Sequence, residues 1–451
     1  MSNFLKYINF LLSISFIYSY VVFPLYIKNQ NIHPSDSPYE FISKILDSNL
    51  YTQINIGSQK TIVKASIDIY TTELMIAGDG VKRNKYNESN SDSYNCTYCK
   101  IKEFYSGWYS EGIISTEDFY IEKNKNEFEV VHNMKFILAK KSIYMDPPEA
   151  TCGLQLPQFN SESDYNLINS LKKTNKTKSY IWYLDYENFP NNEMKLIIDA
   201  YPHDLNSKKY NSEKFTEASA IALDDLKKYP QWTLRFFDIN YNNVKFEKIS
   251  TIFQVAKFQF DSNIIIAPNE MGDFLEKQFF GEYISKNICT FNNTSINKYI
   301  YCKNKKFDVK KFKSIYFKNV DLNIIFELSY KELFYLNGDY IYFLIFFRPV
   351  DIWIFGDIFL KKYHLVFNQE AKTIGYYQGM EKEEKENKGK KFKVTFTHIL
   401  LILILLAIIV VGIVLYIKIV PRKKNRANEL DDDYEYNESI NEQNDKNKII
   451  G

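Results

Sequence analysis

The stretch Trp353-Ile354-Phe355-Gly356-Asp357-Ile358-Phe359-Leu360, followed by Tyr363, Val366-Phe367 and Ile374-Gly375-Tyr376, decides how this chain is read. A step of two apolar residues and a glycine lets two backbone segments approach more closely than a side chain would permit. Ile354-Phe355-Gly356 is therefore expected to thread beneath another backbone loop, which an ordinary buried strand ending in a glycine turn would not do.

Working outward from that step, a weak duplication emerges. In the first half Ile67-Asp68-Ile69-Tyr70-Thr71-Thr72-Glu73-Leu74-Met75-Ile76 precedes Thr151-Cys152-Gly153-Leu154. In the second half Phe258-Gln259-Phe260-Asp261-Ser262-Asn263-Ile264-Ile265-Ile266-Ala267-Pro268 precedes the Gly356 step. Asp68 to Gly153 spans 85 positions and Gln259 to Gly356 spans 97, so the two halves have comparable pitch. These segments together resemble the pepsin-like aspartic proteases, in which each lobe carries an Asp-Thr-Gly-Ser loop above a hydrophobic-hydrophobic-Gly step. The resemblance implies an all-β, bilobal pepsin-like fold over about residues 51–377, with an extended peptide bound between the lobes under a flap hairpin.

The chemistry of that family needs two carboxylates sharing one proton, one to polarise the scissile carbonyl and one to take a proton from water. The resemblance puts Asp68 at the first position, but Ile69 stands in place of a hydroxyl residue and Tyr70 in place of the glycine. Counting back from Pro268, Gln259 takes the second Asp position, and Gln can hydrogen-bond but cannot exchange a proton. A loop shorter by two residues would instead make Asp261 the catalytic acid, with Ser262 as its hydroxyl neighbour; strand alternation cannot choose between registers that differ by two. Phe104-Tyr105-Ser106-Gly107-Trp108-Tyr109-Ser110-Glu111-Gly112 resembles the flap, with Tyr105 at the flap tyrosine and Tyr109 offering a competing alignment. The candidate substrate-binding residues are thus Tyr105, Gly107 and Tyr70.

Composition narrows the alternatives. The 451 residues are 45% apolar and carry a formal charge of +2 from 57 basic and 55 acidic side chains, which leaves no basic face for nucleic acid. Tyr (36) and Phe (35) are abundant, which suits strands. The five histidines, His33, His132, His203, His364 and His398, form no triad or metal spacing; His364 reads as a structural residue on an apolar strand. No phosphate loop or dinucleotide glycine pattern occurs, so neither cofactor nor metal is expected. Five cysteines fit an oxidising compartment: Cys96 with Cys99, Cys289 with Cys302, and Cys152 as a buried thiol. Sequons at Asn87, Asn95, Asn175, Asn292 and Asn293 fit secretion.

The ends place the chain on a membrane. An apolar run from Phe10 to Val22 behind Lys6 reads as a signal peptide or signal anchor within residues 1–28. Nineteen uncharged residues from Ile399 to Ile417, followed by Lys418, Arg422, Lys423, Lys424 and Arg426, read as a membrane helix within residues 396–420. Residues 50–204 and 205–378 are the expected lobes, 379–395 a linker, and 421–451 a charged cytoplasmic tail.

Alternating β-branched and aromatic residues predict strands at 51–56, 61–67, 128–137, 195–198, 232–237, 252–260, 341–346 and 364–367. Helices are expected at 164–173, capped by Asp164, and at 268–279, with Pro268 in the first turn. Residues 78–95 and 206–217 read as surface loops. The expectation is a membrane-anchored, monomeric homologue of aspartic proteases that binds polypeptide without a complete dyad; the alternative is an active endopeptidase using Asp68 and Asp261. An unrelated β-rich receptor ectodomain is the third reading.

Overall fold

The structure is a computed structural model that describes residues 20–28, 31–46, 50–69, 71–106, 108–124, 127–156, 165–186, 194–222, 230–246, 254–260, 262–294 and 297–379. It is mainly β, as the alternation implies, with two large mixed sheets of thirteen and nine strands beside a four-stranded and a two-stranded sheet. Period-two burial is plain in Leu50–Ile56 and Thr61–Asp68, where Ile54, Ile56, Val63, Ala65 and Ile67 all turn inward.

Within each large sheet the same four-strand arrangement occurs. In the first, Thr61–Asp68 runs parallel to Ala150–Gly153, which runs antiparallel to Leu74–Ala77, which runs parallel to Glu127–Ser142. In the second, Gln254–Phe258 runs parallel to Trp353–Phe355, which runs antiparallel to Ile265–Pro268, which runs parallel to Ile345–Arg348. A late strand is thus inserted between two early ones in both halves of the chain. Such an insertion forces the loop between the early strands to pass over the end of the late one.

The first sheet also gathers strands from distant parts of the chain: Val366–Asn368 pairs with Ile181–Asp185, and Val21–Ile27 lies between Met194–Ile198 and Leu50–Ile56. Residues 21–28, which the N-terminal reading includes in the leader, therefore contribute a strand flanked on both sides, with Leu25 fully buried. Helix Pro38–Leu46 follows, opened by a capping box in which Ser37 and Glu40 exchange hydrogen bonds. Its Phe41 stacks on Tyr342 at 3.9 Å, and Ile42 and Ile45 join a cluster with Ile264, Ile266, Leu344 and Phe346. The N-terminal segment thus ties the two sheets together.

An aromatic seam does the same deeper in. Trp182 stacks on Phe367 at 4.3 Å and meets Trp232 and Phe260 edge-on. The Trp232 indole donates to the Leu154 carbonyl at 2.6 Å, satisfying its only polar atom.

Several local expectations are corrected. The helix expected at 164–173 is Leu167–Lys173, and its cap is Asn166, whose side chain accepts from the amides of Ile168 and Asn169; Asp164 lies outside the described residues. Pro268 ends a strand and caps helix Asn269–Leu275, which continues through a π-turn to Ser285. The run 341–346 is two strands, Tyr340–Phe343 and Ile345–Arg348. His364 is the left-handed cap of helix Asp357–Tyr363 rather than a strand residue. Cys96 is bonded to Cys99 and Cys289 to Cys302, while Cys152 is a buried thiol whose pKa burial pushes up to about 12. No described helix is long and apolar enough to cross a membrane; the apolar run 399–417 lies outside the described residues.

Candidate functional site

The two inserted strands end at glycines, and both glycines are pressed against the loop above them. A carbon added to Gly153 would lie 2.5–2.6 Å from the backbone of Glu73 and the Thr71 carbonyl. One added to Gly356 would lie 2.2 Å from the carbonyl oxygens of Ile264 and Ser262. Each glycine amide also donates to the loop, Gly153 to Glu73 at 2.9 Å and Gly356 to Ile264 at 3.1 Å. Only a residue without a side chain fits at either place.

These contacts fix which residues correspond. Asp68 lies opposite Gly153. Phe258 lies opposite Phe355, so Gln259, whose amide donates to the Phe355 carbonyl at 2.9 Å, stands one step on, at Gly356. On the far side Leu74 pairs with Cys152 and Ile265 with Phe355; Leu74 follows Asp68 by six positions, and Ile265 follows Gln259 by six. The matching carbonyls above the glycines, Thr71 with Ser262 and Glu73 with Ile264, obey the same correspondence. The strand registers and the carbonyls pressed on the glycines therefore match Gln259 to Asp68, which agrees with the spacing counted back from Pro268.

Asp68 is 8% exposed at the end of its strand, and the Leu154 amide donates to its carbonyl at 2.7 Å. Asn166 holds the loop from behind: buried completely, it donates to the Thr72 carbonyl while capping helix Leu167–Lys173. Two residues before Gln259, and on the same face of its strand, Lys257 is pushed down to about 8 by burial, with the Asp68 carboxylate acting against that shift. A cation from the other half of the molecule is thus coupled to Asp68.

A second buried cluster holds the second loop. The Asp357 amide donates to the Ser262 carbonyl at 2.7 Å. Its carboxylate, 2% exposed, accepts from the Tyr186 hydroxyl at 3.0 Å and sits 3.7 Å from Lys361, which also reaches the Asn263 side chain at 3.3 Å. Burial, with the Asp357 charge beside it, raises the Tyr186 phenol well above its ordinary range. Tyr186 belongs to the first half of the chain and Asp357 to the second.

Of the residues expected at the site, Asp68 and Gln259 are brought to equivalent positions. Asp261, Tyr70 and Gly107 lie outside the described residues, and for Tyr105 only the backbone, within strand Asn95–Ser106, is described. Tyr109, the competing flap tyrosine, is 1% exposed and packs with Met75 and Ile137 beneath the hairpin. Lys257, Tyr186, Lys361 and Asn166 stand in no motif, and Asp357 follows the Ile354-Phe355-Gly356 step with no role expected of it; Lys257 lies on the half-buried face of its strand, opposite that of Ala256 and Phe258. Among the described residues no group of acidic, His or Cys side chains is arranged to hold a metal. No protein-family model matches this chain, and no curated protein sequence does either.

Proposed function

We propose that the chain is a membrane-anchored, bilobal homologue of the pepsin-like aspartic proteases that binds extended polypeptide between its lobes without performing their hydrolysis. The observation that carries this reading is the doubled register, in which Gln259 takes the position that Asp68 takes in the other half. A carboxylate pair works because like charges force one proton to be shared. A glutamine opposite Asp68 supplies hydrogen bonds but neither proton nor charge, and Lys257 supplies a charge of the wrong sign for sharing.

The two glycine steps, each beneath a loop with a hydroxyl residue at the matching position, Thr71 or Ser262, support a fold kept for shape rather than for acid chemistry. The exposed Cys96–Cys99 and buried Cys289–Cys302 disulfides support placing residues 50–378 outside the cytoplasm, with 396–420 as the anchor. Binding would use main-chain hydrogen bonds from the hairpin of Asn95–Ser106 and Tyr109–Asn124.

The test is a peptide library assayed for cleavage and for binding from about pH 4 to 7, with Asp68→Ala as control. Binding without cleavage is the expected result. Cleavage that disappears in Asp68→Ala would overturn it in favour of an active endopeptidase, and its loss in Asp261→Ala as well would identify the second acid.

A further inference from the structure

A recess of about 530 Å3 opens on the first half of the chain, between strand Glu127–Ser142 and the end of helix Leu167–Lys173. Lys135, Lys173, Lys176 and His132 line it together with the hydroxyls of Ser170 and Thr174, and no carboxylate is among its lining residues. Asp118 stands against the His132 ring at 2.9 Å and Glu129 against Lys176 at 3.0 Å.

The local structure explains how the charges converge. Register shifts where Phe119 faces Val131 and Glu117 faces Met134, so His132 and Asn133 bulge out opposite Asp118, which accepts from the Asn133 amide. A helix C-terminus ordinarily repels anions, but here its carbonyls are occupied. Thr174 donates through its amide and hydroxyl to Ser170, and again to Leu171; Asn175, at a left-handed φ of 57°, and Lys176 close the last turn onto Lys172 and Leu171. Lys135, Lys173 and Lys176 thus line a recess beside helix carbonyls that are already bonded.

We propose that this recess binds a compact phosphate-bearing polyanion, either a soluble phosphorylated metabolite or the headgroup of a phosphorylated lipid. The volume lies within the range of about 300–1,000 Å3 found for small-ligand sites. Three lysines without an arginine fork suit a tetrahedral oxyanion better than a planar carboxylate. Affinity that rests on charge falls with added salt. The inference is independent of the polypeptide groove.

The test titrates the full chain, in neutral detergent, with inorganic pyrophosphate by calorimetry, and then adds vesicles carrying a phosphoinositide. Lys135→Gln/Lys173→Gln is compared with Lys305→Gln/Lys306→Gln, which removes equal charge from an exposed turn elsewhere. The expected result is saturable pyrophosphate binding that weakens about tenfold or more in the recess variant, as loss of charged hydrogen bonds implies, and stays within about twofold in the control. Competition by the vesicles assigns a lipid source, and its absence a soluble one. No saturable binding, or equal weakening in both variants with thermal melts unchanged, overturns the proposal.

Discussion

Gln259 stands in the second half of this protein where Asp68 stands in the first, each set at a glycine that one added carbon would drive into carbonyl oxygens. The relation can be tested through the glycines. Gly356→Ala places its new carbon 2.2 Å from two backbone oxygens, which cannot rotate away as a side chain could. The expected cost is about 3 kcal/mol or more in chemical denaturation, since the loop itself must move. Gly153→Ala meets the same obstacle and should cost a similar amount. A loss below about 1 kcal/mol in both would mean that the loops do not cover the glycines.

Lys257 gives a pH signature. Its folded-state pKa is lowered to about 8, first by burial, against an ordinary 10.5. A lowered ammonium pKa means that the folded chain holds fewer protons than the unfolded chain between those two values. Stability therefore rises with pH from about 8 towards 10.5. Lys257→Met should abolish that rise while leaving the rest of the profile in place. Urea melts from pH 7 to 10.5 check this, and a variant that keeps the slope would detach it from Lys257.

Tyr186 and Asp357 couple the two halves through a buried hydrogen bond of 3.0 Å. Tyr186→Phe leaves the carboxylate with Lys361 at 3.7 Å but without its hydroxyl donor. The expected loss is about 1–3 kcal/mol, the range for a buried bond to a charged group. In a double-mutant cycle with Asp357→Asn the two changes should be non-additive, because they share one interaction. Additive losses would show that the pair contributes nothing as a pair.

What the sequence disclosed follows from which constraints are local. Gly153 and Gly356 were legible because close backbone approach admits one residue type, and the strands around them because alternation repeats every second residue. Lys257 was not legible, since a lysine in a strand ordinarily marks a solvent face and its coupling to Asp68 joins distant parts of the chain. Tyr186 and Asp357 are 171 positions apart, so no spacing rule joins them. Residues 341–346 read as one strand because the apolar run is unbroken. In the fold, Ile341 and Tyr342 pair with Lys298–Lys303, while Ile345 and Phe346 pair with Ile265–Pro268, and Leu344 lies at the changeover.

The N-terminal apolar run was ambiguous for a different reason: a leader and a buried strand have the same composition. Val21–Ile27 is paired on both sides, to Met194–Ile198 and to Leu50–Ile56, with Leu25 fully buried and Val21 and Phe23 nearly so. Removing a strand flanked on both sides would expose two rows of unpaired backbone donors and acceptors in the middle of a sheet, which costs far more than fraying an edge. Any processing of a leader is therefore expected to fall at or before Tyr20, short of the residue 28 boundary drawn from composition. Mass spectrometry of the mature N-terminus should find residues 21–27 retained. A chain engineered to begin after Lys28 should give no cooperative melt, and adding a peptide of residues 20–28 in trans should restore one. A mature protein that starts beyond Ile27 and still melts cooperatively would show that another segment fills the gap between Met194–Ile198 and Leu50–Ile56.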